Sequence, residues 1–244
     1  MPSRLATAVP TRALLLAGIV GPILFVGTFL VEGATRPDYD PVRHYVSLLS
    51  LGDGGWAEVW SFIVSGALIA AFGLGLARTW ARRGGDRMVP GLIIVVGLAF
   101  VWSGVFVTDP AQGFPPGLDH GITPGALIGI PSNPTLHALL HFLGSIVTSI
   151  GLALAGILAA RRGGGWHGRA ARAWTAYSLA TPAVIAGAWI VGLLGAGPSG
   201  PPPTAGLLQR ISIVAGMAWI LVAAAMELRT ARAGPSVATA LATD

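Results

Sequence analysis

The chain has 244 residues, 53% hydrophobic and only 10% charged, against about 25% charged in soluble domains. A mean hydropathy of +0.72 excludes an ordinary soluble globule and points to a polytopic, all-α membrane protein. The formal net charge of +5 comes from arginine, because the chain contains no lysine. Those arginines lie in short connections between apolar runs, which reads as membrane topology and not as a nucleic-acid surface. Cysteine is also absent, so disulfides, thiolate metal sites and a cysteine nucleophile are excluded.

Six apolar segments reach the length of about 20 residues needed to cross a hydrocarbon core of about 30 Å. They are Ala13–Val31, Trp56–Ala77, Pro90–Thr108, Thr135–Ala160, Ala173–Leu194 and Gly206–Leu228. None alternates as an outer-membrane strand does, and backbone groups in lipid must be satisfied within the segment, so all six are expected as helices. Arg4 and Arg12 precede the first span as in a secretory signal. Its apolar run is longer than a signal core of about 7–15 residues, and no small-x-small cleavage site follows before Glu32, so it reads as a retained anchor. The expected organisation is a cytoplasmic N-terminus over residues 1–12, one six-helix transmembrane bundle over 13–228 and a cytoplasmic tail over 229–244, disordered from Ala233.

Arginine placement gives the orientation, since positive residues in short loops stay cytoplasmic. Arg4, Arg12, Arg78, Arg82, Arg83, Arg87, Arg161, Arg162, Arg169, Arg172, Arg229 and Arg232 fall on one side of a six-span arrangement; Arg36, Arg43 and Arg210 fall on the other. Both termini are expected in the cytoplasm, with the membrane the bacterial cytoplasmic one. The outer connections are then Glu32–Gly55, Asp109–Pro134 and Gly195–Ala205. The third is a Pro/Gly connector. The other two collect Glu32, Asp38, Asp40, Asp53, Asp109, Asp119, His44, His120, His137 and His141, so any chemistry is expected there. Within the first loop, Pro41–Leu51 has helical apolar spacing and is expected as a short interfacial helix. Gly73 and Gly75 faintly echo a dinucleotide fingerprint but follow no strand, and the abundant Gly and Ala of the spans read as close helix contacts.

Several outer residues have both a chemical and an ordinary reading. His137 and His141, spaced i, i+4 at the start of the fourth span, can share a metal such as zinc; interfacial histidines also bond loop carbonyls or water. Asp109, in FVTDP, sits where a helix dipole opposes an acid and so needs a partner cation or a functional role, unless it simply ends the helix as an Asp-Pro pair. Arg210 lies one turn inside the sixth span and either snorkels outward or turns inward to Asp109 or Glu32. His44 and Ser47 are spaced i, i+3, a weak nucleophile signature beside a capping or packing hydroxyl. Trp60, Trp102, Trp189 and Trp219 suit an aromatic belt, or a cavity for an isoprenoid- or sterol-like ligand.

The run RPDYDPVRHYVSLLSLGDGGWAEVWSFIVSGALIAAFGLGL, then GVFVTDP, GFPPG and an outer histidine before the fourth span, resembles the domain of unknown function 998 family of prokaryotic multi-pass membrane proteins. The resemblance runs from about Gly21 to about Arg229. It implies a six-span membrane protein without assigned activity, with Arg36, Pro37, Tyr39, Asp40, His44, Ser47, Gly52, Asp109, Pro110, Pro115, His137 and Arg210 at matching positions.

The residues support an outward polar pocket that binds, and as an enzyme modifies, a lipid or isoprenoid-like amphiphile. Asp109, His137, Glu32 and Ser47 are the catalytic candidates, and Arg210, His44, Arg36, Tyr39 and Asp40 the ligand-binding ones. A zinc hydrolase would use His137 and His141 with Asp109 or His44; an acid-initiated cyclase would use Asp109 or Glu32. The rival class is non-enzymatic: an accessory scaffold or a small-molecule transporter. Against a transporter stand the lack of inverted repeats and of charges near the midplane.

Overall fold

The computed structural model describes residues 9–83, 85–118, 134–162, 168–197 and 200–232. Asp119, His120 and the tail from Ala233 lie outside them. Six helices carry the fold: α1 (Thr11–Thr35), α2 (Trp56–Ala81), α3 (Met88–Val105), α4 (Leu136–Arg162), α5 (Gly168–Leu194) and α6 (Ala205–Arg232). Each is long and apolar enough to cross a membrane, and no strand occurs among the described residues.

The helix ends follow from local chemistry. Pro10 precedes α1, whose far end comes at Arg36, where extended backbone precedes Pro37 and suits a residue before proline. Asp86 receives the Met88 and Val89 N–H groups at 2.8 and 3.4 Å, satisfying free donors of α3. That helix stops at Val105, short of the expected Thr108, because Phe106 turns extended. With 18 residues it is the shortest of the six and spans about 27 Å, near the lower limit for a crossing.

Every helix packs on its neighbours in sequence, and α1 against α6 closes the ring. The closest approach expected of glycine occurs between α2 and α3: a Cβ on Gly97 would stand 2.3 Å from the Ala70 nitrogen, so only glycine fits. Phe25, Phe62 and Phe100 meet edge-on or tilted, with centroids 4.8 to 5.6 Å apart, and fill the centre from three different helices. Outward-facing Val20, Ile23, Leu98, Ile150 and Val191 remain exposed, which is how a helix facing lipid must look. The α4–α5 side is the least covered: 22% of the α5 crossing and 33% of that of α4 are buried, against 44–50% for the other helices.

The bundle has two unlike ends. At one, Glu227 of α6 accepts from the Trp80 indole at 2.9 Å and pairs with Arg83 at 3.1 Å, amid the arginine-rich connections. At the other meet residues 36–55, 106–118, 134–135, 195–197 and 200–204. In the first of these the expected helix over Pro41–Leu51 is a single 3-10 turn, Val46–Ser50, whose Val46, Leu48 and Leu49 are buried against α1, α2 and α6. It plugs the ring rather than lying flat on an interface.

Candidate functional site

Arg210 organises the loop end. It turns inward, with 8% of its surface exposed, but takes neither Asp109 nor Glu32. Its Nη1 donates to the carbonyls of Pro41, His44 and Gly206 at 2.6, 2.8 and 3.1 Å, and its Nη2 to the Tyr39 hydroxyl. The guanidinium also lies 5.4 Å from the Tyr39 ring centre and 5.8 Å from that of Phe29. Tyr39 in turn donates to the carbonyls of His44 and Tyr45 at 3.1 and 3.0 Å. Burial pushes this phenol up to about 12 against the opposing pull of Arg210, so it remains a neutral donor.

The same loop supplies partners for the start of α6. The Gly206 and Leu207 N–H groups, free in any helix first turn, donate to Arg43 and Val42 carbonyls at 3.1 and 2.9 Å. This contact requires glycine: a Cβ on Gly206 would stand 2.3 Å from the His44 oxygen. Val46 N donates to the Gln209 side chain at 2.7 Å and Tyr45 N to that of Gln112 at 3.1 Å. Asp40 caps the turn through Val42 N at 2.8 Å. Arg36 pairs with Glu32 and donates to the carbonyls of Leu49, Leu51 and Asp53.

His44 is buried, and its tautomer follows from its neighbours. Nδ1 accepts from the Asp40 N–H at 2.9 Å, so Nε2 carries the hydrogen directed at the Gln112 carbonyl, 3.2 Å away. Burial lowers its pKa, partly offset by that carbonyl. Ser47 is buried in the 3-10 turn and makes no side-chain hydrogen bond with His44.

Asp109 takes neutral donors at the start of α4 in place of a partner cation. Its carboxylate accepts Thr135 N at 2.7 Å and Thr135 Oγ1 at 2.6 Å, and Thr135 Oγ1 accepts Ala138 N at 3.2 Å. The acid that trails α3 thus sits at the start of α4, where the dipole favours it. The two histidines of α4 separate. His141 is buried and directs Nδ1 at the Ser103 and Phe106 carbonyls, both at 2.9 Å, capping α3. His137 is exposed and packs edge-on to Phe106 at 5.4 Å. No group of three His, Cys, Asp or Glu side chains poised for a metal occurs among the described residues.

Two further features had no place in the sequence reading. Glu58 is wholly buried in the first turn of α2, with both oxygens lacking a hydrogen bond, and Ser61 and Ser65 beneath it are also unpartnered. An acid inside an apolar span was the available signal. The other is an apolar groove between α5 and α6, lined by Ala188, Trp189, Gly192 and Leu193 on one side and Ala205, Leu208, Gln209 and Ser212 on the other, with Tyr45 and Pro201 at its end. A second apolar groove, between α4 and α5, shares Trp189 with it.

No curated protein and no solved structure matches the chain. Residues 19–226 match the family described as protein of unknown function (DUF998), and the chain belongs to that family.

Proposed function

We propose that the protein binds a membrane amphiphile, a lipid or isoprenoid-like molecule, in the groove between α5 and α6. One observation carries the reading: three polar groups with unused hydrogen-bonding capacity line an otherwise apolar groove. The Tyr45 and Ser212 hydroxyls have no partner among the described residues, and Gln209, giving its carbonyl oxygen to Val46, keeps its amide nitrogen free. A few polar groups in an apolar cleft are the usual form of a small-molecule site. All three donate, which selects an oxygen-rich head group.

Burial raises the Tyr45 phenol to about 12, so it stays a donor at neutral pH. The α4–α5 groove, which has Trp189 in common with the α5–α6 groove and is lined by Ile146, Ile150, Ala153 and Ile185, suits an apolar chain on the side most open to lipid. With the arginine-rich end in the cytoplasm, as arginine placement favours, the head group lies in the outer leaflet of the cytoplasmic membrane.

The reading is one of binding. The carboxylates of Asp109 and Glu32 and the guanidinium groups of Arg36 and Arg210 are engaged within the chain, an arrangement that also suits an accessory protein carrying a lipid cofactor. Gly192 gives the test. A Cβ there lies 3.8 Å from Leu208, ordinary contact, so Gly192→Phe fills the groove; a Cβ at Gly187 meets nothing within 4 Å, so Gly187→Phe points into open space. Native mass spectrometry of the purified proteins should show retained lipid in wild type and Gly187→Phe, and severalfold less in Gly192→Phe. Equal retention by all three would sink the proposal.

A further inference from the structure

Glu58, Ser61 and Ser65 lie on one face of α2, spaced i, i+3 and i+7, each buried and none with a hydrogen-bond partner. Four other hydroxyls in the spans behave differently. Those of Thr79, Ser145, Ser149 and Thr181 each donate to the carbonyl one turn back, the usual resort of such groups in a helix. Ser61 and Ser65 forgo that bond, so the three side chains form a strip of unsatisfied oxygen. It runs inward from the loop end for about 10 Å at 1.5 Å per residue.

The charges around the strip do not neutralise it. Glu32 acts on Glu58 from α1, Arg36 and Tyr39 from the following loop, and Arg210 from α6. Arg36 is held by Glu32 and the carbonyls of Leu49, Leu51 and Asp53; Arg210 is held by Tyr39 and the carbonyls of Pro41, His44 and Gly206. Neither guanidinium bonds to Glu58. A buried carboxylate without a partner demands a compensating positive charge. Carboxylate and hydroxyl oxygens are hard donors, and one acid balances a single charge.

We propose that Glu58, assisted by Ser61 and Ser65, is a binding site for a small monovalent cation, a proton or a sodium ion. The site stands independently of the α5–α6 groove. Its occupancy bears on the loop, because a bare Glu58 carboxylate competes with Tyr39 and the loop carbonyls for Arg210. Loss of the cation therefore loosens the segment from Tyr39 to Tyr45.

Infrared difference spectroscopy of the full chain in lipid nanodiscs, stepping pH and then sodium, tests the proposal. If the ion is a proton, the wild type shows the carbonyl stretch of a protonated carboxylic acid at neutral pH without sodium. If it is sodium, a carboxylate band shifts on adding sodium. Either signal is absent from Glu58→Gln. The Ser61→Ala/Ser65→Ala double variant, whose fold is checked by circular dichroism, should raise the cation concentration at the midpoint about tenfold, the effect of losing two weak hydrogen bonds. An ionised Glu58 indifferent to sodium, a band that persists in Glu58→Gln, or an unchanged midpoint in the serine variant would each overturn it.

Discussion

Two buried polar clusters stand side by side at the loop end, and they are satisfied to opposite degrees. Around Arg210 both Nη groups find acceptors: the carbonyls of Pro41, His44 and Gly206 and the Tyr39 hydroxyl. Around Glu58 four side-chain oxygens find none. The first cluster does what a fold requires: it closes the end of a ring of helices where a loop would otherwise leave carbonyls without water or partner. The second does nothing for the fold by itself. A buried polar group that the structure leaves incomplete points to something the structure must receive, whereas a conspicuous charge fully bonded to its own chain is accounted for by architecture.

The contrast can be broken first at Arg210. Arg210→Met removes a charged donor from three carbonyls, those of His44 and Gly206 buried and that of Pro41 partly so, and from the buried Tyr39 phenol, and should destabilise the protein by about 3 kcal/mol, read by thermal unfolding in detergent or by faster hydrogen exchange across residues 39–46. Glu58→Met, in the other cluster, should be neutral or stabilising by about 1 kcal/mol, because it replaces an unpaired polar group by an apolar one. A loss like that at Arg210 would mean Glu58 is a structural partner after all. Thr135→Val, which deprives Asp109 of one bond and α4 of its cap, should cost about 1 kcal/mol in the same melt.

The smallest effect concerns pH. His44 is held neutral, its folded pKa below the ordinary 6.5, so the unfolded chain binds the extra proton first. The contribution of His44 is fully present above about 6.5 and is lost as pH falls through the folded pKa. Melting temperatures of wild type should decline over that interval, and those of His44→Gln should decline less.

The crossing helices were legible because bilayer thickness imposes length and hydropathy on sequence directly. Their ends were legible only where the cause was local, as at Arg36 before Pro37. The early stop of α3 depends on His141, far along the chain, capping Ser103 and Phe106. The pair His137 and His141 shares a helix face by spacing, yet α3 covers only one of them, and spacing cannot tell which. Arg210 was open to both an outward and an inward reading, and for the inward one to Asp109 or Glu32 as partner; the backbone carbonyls it takes instead leave no mark in composition. Glu58 escaped notice beside a loop rich in acids; its meaning comes from complete burial without a hydrogen-bond partner.

The stitching of the first loop to α6 has a consequence for biogenesis. Membrane helices emerge in order, and the carbonyls of Val42, Arg43, Pro41 and His44 receive their donors from Gly206, Leu207 and Arg210, near the end of the chain. Until the last helix inserts, the first loop remains chemically incomplete. A chain truncated before α6 would thus expose its defect at the opposite terminus of the sequence, on a surface where quality control can detect an unfinished protein.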